Sequence, residues 1–341
     1  MDALISRANP YLSLLGLGWL VPLVRIATGD DRERQVRELW RQLGVPLVAI
    51  ALFVLAWSQL ASRIETSLGG IPGPSAVWRE AQGLVAEHRA ERARRTEFYA
   101  RQDARNAAAR AADPNAEIRV RKYTGKPTYF DQILTSLATV FTGFVLAALV
   151  AVPLGIVAGL SPTINAAINP LVQIFKPVSP LAWLPIVTMV VSAVYVTAEP
   201  LLQKSFVNSA ITVTLCSLWP ALINTALGVA SIDKDLMNVG RVLQLPWHTK
   251  VFKIVLPSAL PLIFTGLRLS LGVGWMVLIA AEMLAQNPGL GKFVWDEFQN
   301  GSSASLARIM VAVLTIGVIG FLLDRTMLAL QAAVTHTAGR R

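Results

Sequence analysis

Long runs of this chain contain no Asp, Glu, Lys or Arg, among them residues 42–62, 132–175, 177–198, 205–232, 269–281 and 309–323. A helix needs about 20 apolar residues to cross the hydrocarbon core of a bilayer, and several of these runs are long enough. Only 15% of the 341 residues are charged and 54% are hydrophobic, with mean hydropathy +0.52; soluble domains carry about 25% charge. Burying so much apolar surface in water would need a much larger domain. The chain therefore reads as an all-α membrane protein with about six transmembrane helices.

The N-terminal segment, 1–43, is expected in the cytoplasm. Its apolar stretch 11–27 is short and holds Pro22, and reads as an interfacial helix rather than an extra span. Arg32, Arg34, Arg37 and Arg41 then precede the first span, 44–63, and fix its orientation. Residues 64–130 form a long polar insert with twelve Lys/Arg and seven Asp/Glu between 79 and 126. Its Ala/Arg/Glu-rich middle favours helix, read as a solvated helix or a partly disordered excursion. Six spans put this insert on the periplasmic side, which is tolerable because loops above roughly 60 residues escape the positive-inside trend. The core, 131–332, holds spans near 131–160, 178–198, 205–227, 260–283 and 307–331. The third of the six is entered through Pro170, Pro177, Pro180 and Pro185. A polar segment occupies 230–257, a loop 286–305, and a cytoplasmic tail 333–341.

The net charge of +10 is read as an orientation signal, not as a nucleic-acid footprint, because the basic residues flank apolar runs or lie in the insert. Cys216 stands alone and can form no internal disulfide. His88, His248 and His336 have no metal-ligand spacing. Neither a Ser/His/Asp nor a paired-carboxylate arrangement is present, nor is a phosphate-cradling Gly-rich Lys-Ser/Thr motif. A catalytic or ATP-hydrolysing role for this chain is not expected, and no cofactor is expected on it.

The polar segment is the most informative. After Asp235, Leu236, Val239 and Leu243 recur at helical spacing, with Asn238, Arg241 and Gln244 elsewhere. Pro246 ends that helix. A second short helix, 247–255, places Trp247, Val251 and Val255 on one side, and Leu256-Pro257 is expected to stop it. Two short helices at an angle make a rigid knob able to dock in another protein's groove and move the spans as rigid bodies; an ordinary cytoplasmic loop is the alternative.

Here the chain resembles the permease subunits of ABC importers. Their coupling loop follows the pattern Glu-Ala-Ala, three residues, Gly, nine residues, Ile, one residue, Leu-Pro. Ile254, Leu256 and Pro257 match its end, while Asn238, Val239 and Gly240 occupy the Glu-Ala-Ala positions and Gln244 the Gly position. The run 130–330 resembles the nitrate/bicarbonate/cyanate branch, through KPVSPLAWLPI (176–186), LWPALINTALGV (218–229), NVGRVLQLP (238–246), KIVLPSALPLIFTGLRLSLGVGW (253–275), AAEML (280–284) and FVWDEFQN (293–300). The 85–126 stretch lies outside the resemblance. The resemblance implies a type I importer permease core in the bacterial inner membrane, acting as a dimer with a second permease subunit, a homodimer in the simplest case. It implies two cytoplasmic ATPase subunits that carry ATP and Mg, and a periplasmic solute-binding protein. The cargo it implies is a small anion, nitrate or nitrite first, with bicarbonate, cyanate and taurine or another sulfonate as alternatives. An ion-coupled secondary transporter is the remote alternative; such proteins bury relay charges in mid-span, and these mid-spans are nearly bare.

Translocation-pathway candidates are Lys176, Pro180, Trp183, Arg268, Trp275 and Glu282. Arg268 is the sole basic residue between Pro257 and Lys292, and a charge within a span costs at least about 2.5–3.5 kcal/mol. It reads either as an electrostatic partner for a passing anion or as a structural arginine. Glu282 reads as structural or as facing the outer vestibule. Lys176 opens a proline-broken segment, a feature tolerated where it lines a cavity. Trp183 and Trp275 read as pore-lining or interfacial. Trp295, Asp296 and Glu297, in the outer loop, are candidates for contact with the binding protein.

Overall fold

A computed structural model describes residues 20–27, 32–61, 63–66, 69–113, 118, 120–196 and 202–338. Of the expected interfacial helix, residues 11–19 lie outside the described residues, and 20–27 form a short helix, α1 (Leu20–Ala27). Helix α2 (Arg32–Leu39) continues through a π-turn, Trp40–Gly44, into α3 (Val45–Ala61). The turn is closed by the Val45 N–H donating to the Trp40 carbonyl. Such a widened turn suits the approach to Pro46, whose ring would clash with the carbonyl four residues back in a regular helix. A two-residue antiparallel ladder, β1 (Glu65–Thr66) with β2 (Gly69–Gly70), makes the first bend.

The polar insert is a 39-residue helix, α4 (Pro74–Ala112). Its first half is not a free excursion. Val77 and Leu84 are buried in the main apolar cluster beside Tyr129, Leu290, Phe293 and Val311. Further along, the returning chain lies against it: Gln102 accepts from the Arg121 N–H at 2.7 Å, and Tyr123 Oη donates to Glu91 Oε1 at 2.7 Å.

Helix α5 (Tyr129–Leu160) opens with a Thr128–Asp131 capping box. Every fourth residue along one face is small: Gly143, Ala147, Ala151, Gly155 and Gly159. A Cβ at Gly143, Gly155 or Gly159 would collide with Val213, Thr225 or Val229 of α8 (Lys204–Ala230). Small residues at this spacing let two backbones approach where lipid offers no hydrophobic drive for association. Thr214 Oγ1 bonds the Gly143 carbonyl across the seam at 3.1 Å.

Between these two helices the sequence expectation fails. The 22-residue charge-free run 177–198 is not a span of its own. Its helix, α7 (Pro180–Val194), has 15 residues, roughly 22 Å, and is bent by 102° against α6 (Pro162–Phe175) across the break at 176–179. The prolines at 177 and 180 remove the donors that would have carried one helix through. Among the described residues, five helices are long and apolar enough to cross a membrane, or six if the bent pair counts as one.

Two short helices follow, α9 (Lys234–Val242) and α10 (Trp247–Lys250). The expected stop at Leu256-Pro257 does not occur. A second π-turn, Val251–Val255, carries the chain into α11 (Leu256–Ala285), with the Leu256 N–H donating to the Val251 carbonyl. As at Pro46, the wider ring precedes the proline. The expected loop 286–305 contains a helix, α12 (Leu290–Asn300), before the last span, α13 (Ser303–Ala338).

The two ends of the bundle are distinct. Leu160, Val229, Met237, Val255 and Ala259 pack at the end that carries α9 and α10. Leu84, Tyr129, Leu290 and Phe293 pack at the end that carries α4 and α12.

Candidate functional site

The knob is built as its residues dictate. Asp233 caps α9, its Oδ1 accepting from the Asp235 N–H at 2.9 Å, and Arg241 reaches Asn238 Oδ1 at 3.2 Å. The helix closes in a Schellman motif: Gln244 N–H donates to the Arg241 carbonyl at 3.0 Å and Leu245 N–H to the Gly240 carbonyl at 3.1 Å. This requires a left-handed residue, and Gln244 adopts φ 47°. The glycine of the coupling-loop pattern falls at this position, so its physical role is that of the left-handed cap. Gly240 is buried, and a Cβ there would approach Ile254 Cδ1 to 2.9 Å. Asn238, Val239 and Gly240 thus divide the Glu-Ala-Ala positions between two exposed residues and one seated on Ile254.

The second helix corrects one sequence expectation. Val251 and Val255 are buried, but Trp247 is 66% exposed, so it does not share their face. With Leu236, Val239, Val242 and Leu243, all exposed, it gives the knob an apolar outer surface. Leu256 and Pro257 continue into α11 beneath it.

At the opposite end Glu282 is fully buried. It faces neither a vestibule nor a cation. Ser136 Oγ donates to its carboxylate at 2.8 and 3.0 Å, Gly291 N–H at 3.0 Å and Asn287 Nδ2 at 3.4 Å. Gly289, the N-cap of α12, has no side chain to cap the helix; Glu282 and Ser136, which accepts from Leu290 N–H at 2.8 Å, take that role. Trp275 is buried as well, its Nε1–H donating to the Ile316 carbonyl at 3.0 Å, and joins α11 to α13.

Arg268 has the partner the sequence did not disclose: its Nε and Nη2 donate to Asp324 Oδ1 and Oδ2 at 2.5 and 2.8 Å. Lys176 is exposed at the end of α6. Pro180 opens α7, and Trp183 lies 5.7 Å from the Phe175 ring, which stacks on Trp219 at 6.1 Å. Trp295 and Asp296 lie on α12, Trp295 against Phe298 and Asp296 paired with Lys292 at 2.8 Å. Glu297 is turned inward. It accepts from Ser305 Oγ at 2.8 Å and from Arg308 at 3.2 Å, and Arg308 also holds Glu80 at 3.3 Å and Glu87 of α4. Arg308, Asp324 and Ser136 are the residues that sequence reasoning missed. Arg308 left one signal: a lone arginine a turn into an apolar span must find counter-charge. Among the described residues, no cluster of His, Cys, Asp and Glu could hold a metal ion.

A short-helix knob at one end of the bundle, with a polar cap at the other, agrees with what comparison finds. Residues 151–336 match the family described as binding-protein-dependent transport system inner membrane component. The chain belongs to that family. It is a type I ABC importer permease, a multi-pass inner-membrane subunit and not itself an enzyme, because the ATPase is a separate subunit. Membership implies ATPase and substrate-binding-protein partners. The permease is 33% identical over 297 residues, 86% of this chain and 91% of the relative, to the bicarbonate transport system permease protein CmpB of Synechococcus elongatus. It is 37% identical over 203 residues, 60% of this chain and 69% of the relative, to the nitrate import permease protein NrtB of Synechocystis sp.. Its fold is similar to that in inward-facing structures of the MetNI methionine ABC transporter, with TM-score 0.51 and 16% identity, over 61% of this chain and 96% of that one.

Proposed function

We propose that two copies of this permease form a pore for a small inorganic anion, nitrate or nitrite first, driven by ATPases that grip the knob of α9 and α10. What carries the reading is the exposed apolar surface Leu236, Val239, Val242, Leu243 and Trp247 on helices otherwise tied to the spans. Exposed apolar side chains on a rigid, capped element outside the apolar runs mark a protein contact. ATP and Mg belong to the partner ATPases, and their closure rocks the permease between inward- and outward-facing states through the knob. Asp235, Asn238, Arg241 and Gln244 rim that surface, while Gly240, Ile254, Leu256 and Pro257 anchor it.

The cargo reading rests on the nitrate import and bicarbonate transport relatives. Both substrates are planar oxyanions, and bicarbonate is the second reading because the CmpB relative aligns along most of the chain. The binding protein meets the end that carries α4 and α12, where Trp295 and Asp296 lie at the outer end of the spans.

The test replaces Val239 or Leu243 by Asp in the assembled transporter and measures uptake of labelled nitrate and bicarbonate. The expected outcome is uptake abolished with the chain still in the membrane; unchanged uptake refutes the docking role.

A further inference from the structure

The Arg268–Asp324 pair has features that an ion pair serving only to hold two helices does not need. It is a fork-on-fork pair, two separate N–H groups each meeting its own carboxylate oxygen. It borders a cavity of about 240 Å³ lined by Arg268, Leu271, Gly272, Trp275, Gly320 and Asp324; a water molecule takes about 30 Å³ in the liquid. Gly272 is exposed at its edge, and a Cβ there would meet nothing within 4 Å. The two side chains are 38% and 39% exposed. Charged atoms do not face hydrocarbon, so this open edge faces water or protein. Arg325, next in sequence, lies with its guanidinium 5.0 Å from the centre of the Phe321 ring. Two arginines against one aspartate leave the locality with one positive charge in excess.

The pair also sits at a useful depth. At 1.5 Å per residue, Arg268 lies about 18 Å along α11 from Leu256, and Asp324 about 32 Å along α13 from Ser303. Both distances put it in the half of the bundle nearer the knob.

We propose that this cavity is an anion subsite in which Asp324 holds the Arg268 guanidinium until a planar oxyanion of single negative charge takes its place. Nitrate and bicarbonate present the same flat two-oxygen edge that a carboxylate offers a guanidinium, and arginine recognises that edge bidentately. Asp324 is thus an internal stand-in for the cargo. It keeps the arginine paired when the site is empty, and its release couples the anion's arrival to a loosening of α11 from α13. The proposal rests on the anion-cargo reading above.

The test uses the purified permease–ATPase complex with Asp324→Asn, whose melting temperature is followed in sodium nitrate and in sodium chloride at equal ionic strength. The vacated fork should accept nitrate. A nitrate-specific rise of several degrees is expected in the variant, smaller in the parent complex and absent in Arg268→Gln/Asp324→Asn. Equal melting in both salts overturns the subsite. If Asp324→Asn does not assemble, Arg268→Lys serves instead: it keeps the charge and loses the fork, and should lower uptake by about tenfold or more at unchanged melting temperature. Unchanged uptake overturns the proposal by that route. Uptake by the unaltered transporter decides the parent reading separately: if it moves neither nitrate nor bicarbonate the cargo reading fails, whereas a nitrate shift in Asp324→Asn would still stand as an anion site.

Discussion

Ser136 and Glu282 lie 146 positions apart, yet the serine hydroxyl donates to both carboxylate oxygens at 2.8 and 3.0 Å in a spot closed to solvent. Glu282→Ala would strand the Ser136 hydroxyl and the Gly291 N–H without an acceptor, at about 1–3 kcal/mol for each buried group. The complex should melt well below the parent or fail to assemble. Glu282→Gln keeps one acceptor oxygen and should fall between the two. Thermal unfolding of the purified complex ranks the three; an Ala variant as stable as the parent would show that α12 needs no cap.

Gln244 holds a left-handed conformation that costs a residue with a side chain about 1 kcal/mol relative to glycine. Gln244→Gly should therefore stabilise the knob, with the coupled ATPase rate retained. Gly240→Val should do the reverse, because the branched side chain would be driven into Ile254. Gly240→Ala is milder, since Ile254 Cδ1 is the far end of a flexible side chain that can yield. Transport-coupled ATP hydrolysis reads all three.

Arg308 gathers Glu80, Glu87 and Glu297, joining α4 and α12 to the last span. Arg308→Ala leaves the three carboxylates without their counter-charge and frees α4 to lift away. Trypsin should then cut at the arginines of 89–110 faster than in the parent. Equal cutting rates would mean that Val77 and Leu84 alone hold the helix.

Deleting residues 85–120 should spare membrane insertion. The deletion leaves Val77 and Leu84, the buried apolar residues of α4, and keeps Glu80 for Arg308 while removing Glu87. Crosslinking of the permease in native membranes shows whether a dimer still forms.

The Tyr123 hydroxyl donates to Glu91, and that hydrogen bond to a carboxylate holds the phenol above the ordinary tyrosine range. A raised value in the folded chain favours the protonated phenol. The contact is intact below about pH 10 and is lost as the pH rises through the raised value. Residues 120–123 should become more open to hydrogen exchange above that point, and Tyr123→Phe should show the same openness at neutral pH.

The spans were legible because a bilayer penalises charge so heavily that charge-free runs mark them directly. The knob was legible because amphipathic spacing and prolines are local. What the sequence hid is the partnering of charges. Arg268 announces its need of a counter-ion, but nothing local points to Asp324, 56 positions on, because the choice is made by the packing of α11 on α13. Glu282 ends a charge-free run as any interfacial carboxylate would, and its task depends on Gly289 lacking a side chain. The run 177–198 misled for the opposite reason: it is apolar enough to span, but the prolines at its start turn the chain before it can.

The uneven distribution of polar bonds sets how the bundle can deform. Around Glu282 and Arg308 the helices are riveted by directional bonds, which lose strength steeply with small displacements. Around Val255 they meet through aliphatic contacts that have no preferred direction and slide at little cost. A load applied at Trp247 therefore reaches an aliphatic seam first, the Arg268–Asp324 fork between α11 and α13 next, and the polar collar around Glu282 and Arg308 last.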